Sequence, residues 1–164
     1  LSIIVFLLIF IIIITDNLLD KHSTALSNHV SGIAKILDGD TITINSNKIR
    51  LLDIDAPEWN QTCTNSHNQQ YHCGIISKNK LKELTKNKII KCIIFGYDYY
   101  NRLLGRCYHH SLDLNKAMVV TGWAIIGNSY SNYRQEMLDA KKARRGIWQG
   151  EFITPRQFRK NKSK

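Results

Sequence analysis

Acidic side chains crowd one short stretch of the chain, DGDTITINSNKIRLLDIDAPE, residues 38–58. Asp38 and Asp40 open it, Asp53, Asp55 and Glu58 close it, and Arg50 stands between. Thr41-Ile42-Thr43-Ile44 alternates with period two, and Ile49-Arg50-Leu51-Leu52 follows the turn-prone Asn45-Ser46-Asn47. A hairpin there sets the start of the first strand beside the end of the second, so Asp40 and Asp55 are expected at one end of a sheet. Two carboxylates brought together repel unless a cation lies between them, and a bound metal ion is the simplest resolution. The bland alternative is a pair of turns, since Asp-Gly favours a turn and Asp before Ala-Pro sits well in an extended loop. The spacing of Arg50 and Glu58 around these acids favours a site.

DGDT followed by Arg50-Leu51, then Ile54-Asp55-Ala56-Pro57-Glu58, resembles the signature of the staphylococcal nuclease (thermonuclease) family. Asp98-Tyr99-Tyr100-Asn101-Arg102-Leu103-Leu104 is similar to the family's D-x-Y-G-R-x-L segment. Residues 114–124 resemble its short helix ending in Gly-Trp-Ala, and Gly146-Ile147-Trp148 its closing Gly-Ile-Trp. The likeness runs from about residue 30 to about residue 159. It implies a calcium-dependent, sugar-nonspecific endonuclease that cuts DNA and RNA and leaves 3′-phosphate ends.

Hydrolysing a phosphodiester takes an activated water and compensation for charge that develops on the phosphoryl and leaving oxygens. By the resemblance, Asp40, Asp55 and the backbone carbonyl of Ala56 would ligate Ca²⁺, a hard cation that takes oxygen ligands. Ala56 stands where the best-known member has Thr, a change that a carbonyl ligand survives. Asp38 would hold the turn behind Asp40. Glu58 would act as general base on the water or orient it. Arg50 and Arg102 would clamp the phosphate, because a guanidinium donates two parallel hydrogen bonds. Tyr100 matches a tyrosine that touches a substrate phosphate. Asn101 replaces a family glycine; Asn tolerates positive φ, so the turn survives while the aim of Arg102 is in question. Tyr130 and Tyr133 are candidates for a base-stacking surface. A non-catalytic nucleic-acid-binding module is the alternative, though it has no evident need for Glu58.

The elements that must position these groups read as α+β. Residues 30–37, 40–45 and 48–54 form a three-stranded meander whose first strand is interrupted at Gly32. Residues 58–71 read as loop and 73–86 as a helix; 89–95 and 103–109 are two further strands around the turn at 98–102. Five strands with an intervening helix match the partly open barrel of an OB-fold. Asp113 caps a short helix at 114–120, and Ser131 a third at 132–144, which ends at Gly146 with Trp148 folding back onto the barrel.

One domain of about 29–159 follows, with a basic tail at 160–164. The excess of 23 Lys and Arg over 13 Asp and Glu suits a polyanion such as DNA or RNA, and a monomer is expected. Residues 1–14 are apolar except for Ser2, so 1–15 read as a signal peptide or membrane anchor, with 16–28 a linker. Export of the domain, secreted or held at a membrane, is therefore expected. Four cysteines in an exported domain favour disulfides, with three pairings open to them. A similar Cys…Cys-Gly pattern in a related exported subgroup supports Cys63–Cys73 and Cys92–Cys107. The first pair would staple the polar loop and the second would join the strands flanking the turn at 98–102. A zinc site of Cys63, His67, His72 and Cys73 is the rival, on irregular spacing.

Overall fold

A computed structural model describes residues 28–162 of the 164. The expected signal or anchor segment, and nearly all of the linker, lie outside the described residues.

Alternation builds the main sheet. Strands β1 (His29–Ile33), β2 (Lys35–Ile36), β3 (Thr41–Ile44) and β4 (Asn47–Leu51) form the meander. Further along come β8 (Ile89–Tyr97), β9 (Leu103–His109) and the short β10 (Leu112–Asp113), which pairs with the end of β9. The hydrogen-bonded order is β1-β8-β9-β4-β3-β2, so the two outermost strands are consecutive segments of one bent strand and the sheet curls into a half-barrel. β4 and β9 run parallel, and the other pairs of this sheet are antiparallel. Ile42, Ile44, Ile49, Leu51, Ile90 and Cys92 point into the concave side and are fully buried, with Leu114, Met118 and Val119 closing the core. Each buried aliphatic side chain here is worth about 2–5 kcal/mol against truncation to Ala.

The expected strand over 48–54 is broken. The chain leaves the sheet after Leu51, Asp53 takes a left-handed φ of 67°, and β5 (Ile54–Asp55) pairs instead with β11 (Ile125–Ile126). Asp53 is thereby turned away from the other acids, to Arg106 and Asn128. The polar 58–71 loop also holds more than expected, a short ladder of β6 (Cys63–Thr64) with β7 (Gln70–Tyr71).

The described residues hold four α-helices rather than about three: α1 (Cys73–Thr85), α2 (Leu114–Val120), α3 (Arg134–Lys142) and α4 (Pro155–Lys162). The Asp113 carboxylate accepts from the Lys116 N–H and caps α2. Helix α3 starts later than expected, because the Ser131 hydroxyl accepts from the Tyr133 N–H and stops at that turn. Tyr133 is buried, with its hydroxyl donated to Asp113, so it supplies no stacking surface; Tyr130 is 94% exposed. Trp148 packs with Ile147, Phe152 and the Cys63–Cys73 pair in a second cluster, not on the barrel core. Both disulfides pair as Cys63–Cys73 and Cys92–Cys107, the latter joining facing residues of β8 and β9. No helix among the described residues is long and apolar enough to cross a membrane. The two disulfides are compatible with an extracellular or periplasmic location.

Helix α4 was not expected. The expected basic tail at 160–164 is partly helical, since α4 runs to Lys162, and Thr154 and Gln157 form a capping box: the Gln157 N–H donates to the Thr154 hydroxyl, and the Gln157 side chain accepts from the Thr154 N–H. Pro155 occupies the first helical position, where its missing N–H costs nothing.

Candidate functional site

Asp40 ends the tight turn before β3. Its own N–H donates to the Asp38 carboxylate at 3.1 Å, so Asp38 fastens the turn. Pairing of Thr41 with Arg50 across β3 and β4 then brings the Arg50 side chain to Asp40. The guanidinium of Arg50 lies 2.9 Å from Asp40 and 2.7 Å from Asp55, and it bridges the two acids. The cation that the two carboxylates require is thus, in this structure, Arg50. Among the described residues no group of three or more His, Cys, Asp or Glu is arranged to hold a metal ion.

Both acids are buried, at 4% and 6% exposure. Burial pushes the Asp40 carboxyl up to about 7, aided by the negative charges of Asp38 and Asp55, although Arg50 and the Ala56 N–H at 3.1 Å pull the other way. Burial also works against the Arg50 charge, but Asp40 and Asp55 outweigh it and hold the guanidinium above its ordinary value. Burial, more than any lack of a charged partner, is what raises the Asp40 carboxyl. Hard oxygen donors such as the carboxylates of Asp40 and Asp55 suit a divalent ion such as Ca²⁺ better than a soft metal.

Glu58 lines the same cleft, in a loop that Gln61 secures. The buried Gln61 side chain accepts from the Glu58 N–H at 3.2 Å and donates to the Ile153 carbonyl at 2.8 Å. Gly74 packs against this loop so closely that a Cβ would fall on the Glu58 carbonyl oxygen. Arg102 reaches the cleft from the β8–β9 turn. Its Nε donates to Asp98 at 2.7 Å, and one of its terminal nitrogens lies 3.5 Å from the Thr41 hydroxyl. Asn101 adopts φ 58°, the left-handed geometry that glycine serves more freely. Tyr100 is 76% exposed, with the Arg102 guanidinium 5.6 Å above its ring.

Asp40, Arg50, Ala56, Glu58, Tyr100 and Arg102 all line one cleft of about 430 Å³, with Lys48 on its wall. Asp55 touches it through Arg50. One further group was not anticipated. Arg159, from α4, lies 3.0 Å from Asp55 and 2.7 Å from Glu58, and it tethers those two acids to each other. Nothing near the acidic stretch announces it; the capping box at Thr154 is the one signal that a helix would turn Arg159 inward. Carboxylates interleaved with guanidinia along one cleft make a place that can hold a phosphate against a cation.

A curled half-barrel carrying four helices and this acid–arginine cleft defines a nuclease-like mixed α+β domain. Residues 48–150 match the model of the staphylococcal nuclease homologue family, and the chain belongs to that family. It is 33% identical over 137 residues to an uncharacterized endonuclease of Haemophilus influenzae, covering 78% of this chain and 71% of that protein. It is 30% identical over 138 residues to the succinoglycan biosynthesis protein ExoI of Rhizobium meliloti, covering 82% and 72%. The endonuclease YhcR of Bacillus subtilis is 31% identical over 71% of this chain, which spans 11% of that much longer protein.

Proposed function

We propose that this domain is a calcium-dependent, sugar-nonspecific endonuclease that hydrolyses phosphodiester bonds of DNA and RNA to give 3′-phosphate ends. The observation that carries the reading is the convergence of Asp40, Asp55 and Glu58 with Arg50 and Arg102 on one cleft. Asp40, Asp55 and the Ala56 carbonyl would hold Ca²⁺, which when bound supplies positive charge against the phosphoryl oxygens. Glu58 would take a proton from the attacking water or orient it. Arg50 and Arg102 would donate to phosphoryl oxygens, and Tyr100 would border the phosphate beside Arg102. Every one of these contacts is to backbone, so sequence discrimination is expected to be poor.

The pairing order and the bent first strand support reading the scaffold as an OB-type barrel. We read the protein as a monomer that works outside the cytoplasm, a placement that the two disulfides favour.

One observation favours a second reading, a non-catalytic nucleic-acid-binding module: the acids already have arginine partners without an ion. Plasmid digestion by the purified domain separates the two. Cleavage with Ca²⁺ that stops on adding a chelator is expected of the enzyme. Binding of plasmid with no cleavage under either condition would leave the binding module.

A further inference from the structure

Arg159 reaches the site from 104 residues beyond Asp55, and it does so with two-point geometry. One terminal nitrogen is shared between Asp55 Oδ1 at 3.0 Å and Glu58 Oε1 at 2.7 Å, and the other lies 3.1 Å from Asp55 Oδ2. Both Asp55 oxygens are thus covered by Arg159, while Arg50 takes Oδ1 as well. The helix that delivers it is built to stay there. Thr154 and Gln157 cap its start, buried Pro155 anchors its first turn, and the Ile153 carbonyl is held by Gln61, the same side chain that secures Glu58. The arginine side chain itself is 43% exposed, against 19% for Arg50, which is wedged between two strands.

Charge decides what such a group does. The acids bordering the cleft are Asp38, Asp40, Asp55 and Glu58, and the cations are Lys48, Arg50, Arg102 and Arg159. With Asp98, the partner of Arg102, five acids face four cations here. A divalent ion on Asp55 would bring two more positive charges against the Arg159 guanidinium and compete for the same oxygens. A phosphodiester entering with the ion brings a negative charge and two acceptor oxygens to the same place.

Building on the nuclease reading, we propose that Arg159 is an exchangeable counter-ion: it neutralises Asp55 and Glu58 in the ion-free protein and moves to the substrate phosphate when the divalent cation takes its place on Asp55. Its departure also frees Glu58 to meet water. Arg159 then acts as a positioning residue that couples ion binding to substrate binding.

The test is calorimetric titration of the full chain with Ca²⁺ alone, without nucleic acid, for wild type, Arg159→Gln and Lys160→Gln. Arg159→Gln is expected to bind Ca²⁺ about fivefold more tightly, the factor set by removing a competing, partly exposed ion pair. A merely structural arginine could not produce that gain, because damage to the fold weakens a site. Lys160→Gln removes the same charge from the same helix and is expected to leave the dissociation constant within about twofold. In the presence of Ca²⁺, Arg159→Gln is expected to bind a short DNA single strand several-fold more weakly, with Arg159→Lys intermediate. Equal or weaker Ca²⁺ binding by Arg159→Gln overturns the proposal while leaving the nuclease reading intact, as does equal tightening by Lys160→Gln. Failure of wild type to bind Ca²⁺ at all overturns both.

Discussion

At the scale of single residues, Glu58 and Asp98 carry the sharpest expectations. Glu58 projects into the cleft and is paired with Arg159, while its backbone is held by Gln61, so its side chain can be changed without unpicking the loop. Glu58→Gln is expected to lower kcat by about 10²–10⁴-fold with an unchanged circular dichroism spectrum. A turnover near wild type would remove the general-base role. Asp98 does not touch the reacting groups but aims one of them. Partial burial pushes its carboxyl up, yet donation from the Arg102 N–H, the Arg102 guanidinium and the Tyr100 N–H outweighs this and holds it below the ordinary 3.8. A carboxyl depressed in the fold contributes stability that is complete above its unfolded value and is lost as pH falls through the folded one. Melting temperatures of wild type should therefore fall more steeply below pH 4 than those of Asp98→Asn. Parallel curves would show that the turn does not need the charge. Asp40, Arg50, Asp55 and Glu58 were legible in the sequence because they lie within one short stretch, where the β3–β4 hairpin sets Arg50 beside Asp40 and Asp55 and Glu58 follow a few residues on. Arg159 was not, since its partners are a hundred residues away and no local pattern encodes that distance.

At the scale of elements, the strands were read well because alternation of Ile with Thr, Lys or Arg leaves a period-two record. What failed were boundaries decided by tertiary partners. Residues 52–55 carry strand-like composition, but β11 captures Ile54 and Asp55 and the left-handed turn at Asp53 breaks the run. Ser131 looked like a helix cap and instead closes a turn one step early. Helix α4 was missed because lysine and arginine dominate it, and charge was given more weight than the Thr-Pro-x-Gln start. The turn between β8 and β9 bears out the conformation expected of Asn101, whose left-handed φ lets the Asp98 carboxylate accept from both Tyr100 and Arg102.

At the scale of the whole molecule, the formal charge of +10 and the basic wall of the cleft set how the protein meets a polyanion. Cleavage of single-stranded DNA should show KM rising with salt, with a logarithmic slope of roughly 0.7 per phosphate contacted, while kcat holds. A KM indifferent to salt would mean that recognition does not run through the backbone. The other feature at this scale is the bond between Cys63 and Cys73. It closes the loop leading out of the cleft onto the first turn of α1, where the Gly74 N–H donates to the Gln61 carbonyl, and Gln61 in turn seats both Glu58 and the approach to α4. A reduced chain keeps every charged group but lacks the tie that seats them, so Cys63→Ala/Cys73→Ala is expected to lose about 2–4 kcal/mol of stability and most of its turnover together. For a chain made in thiol-rich surroundings, the nuclease proposed above would stay latent until that bond forms.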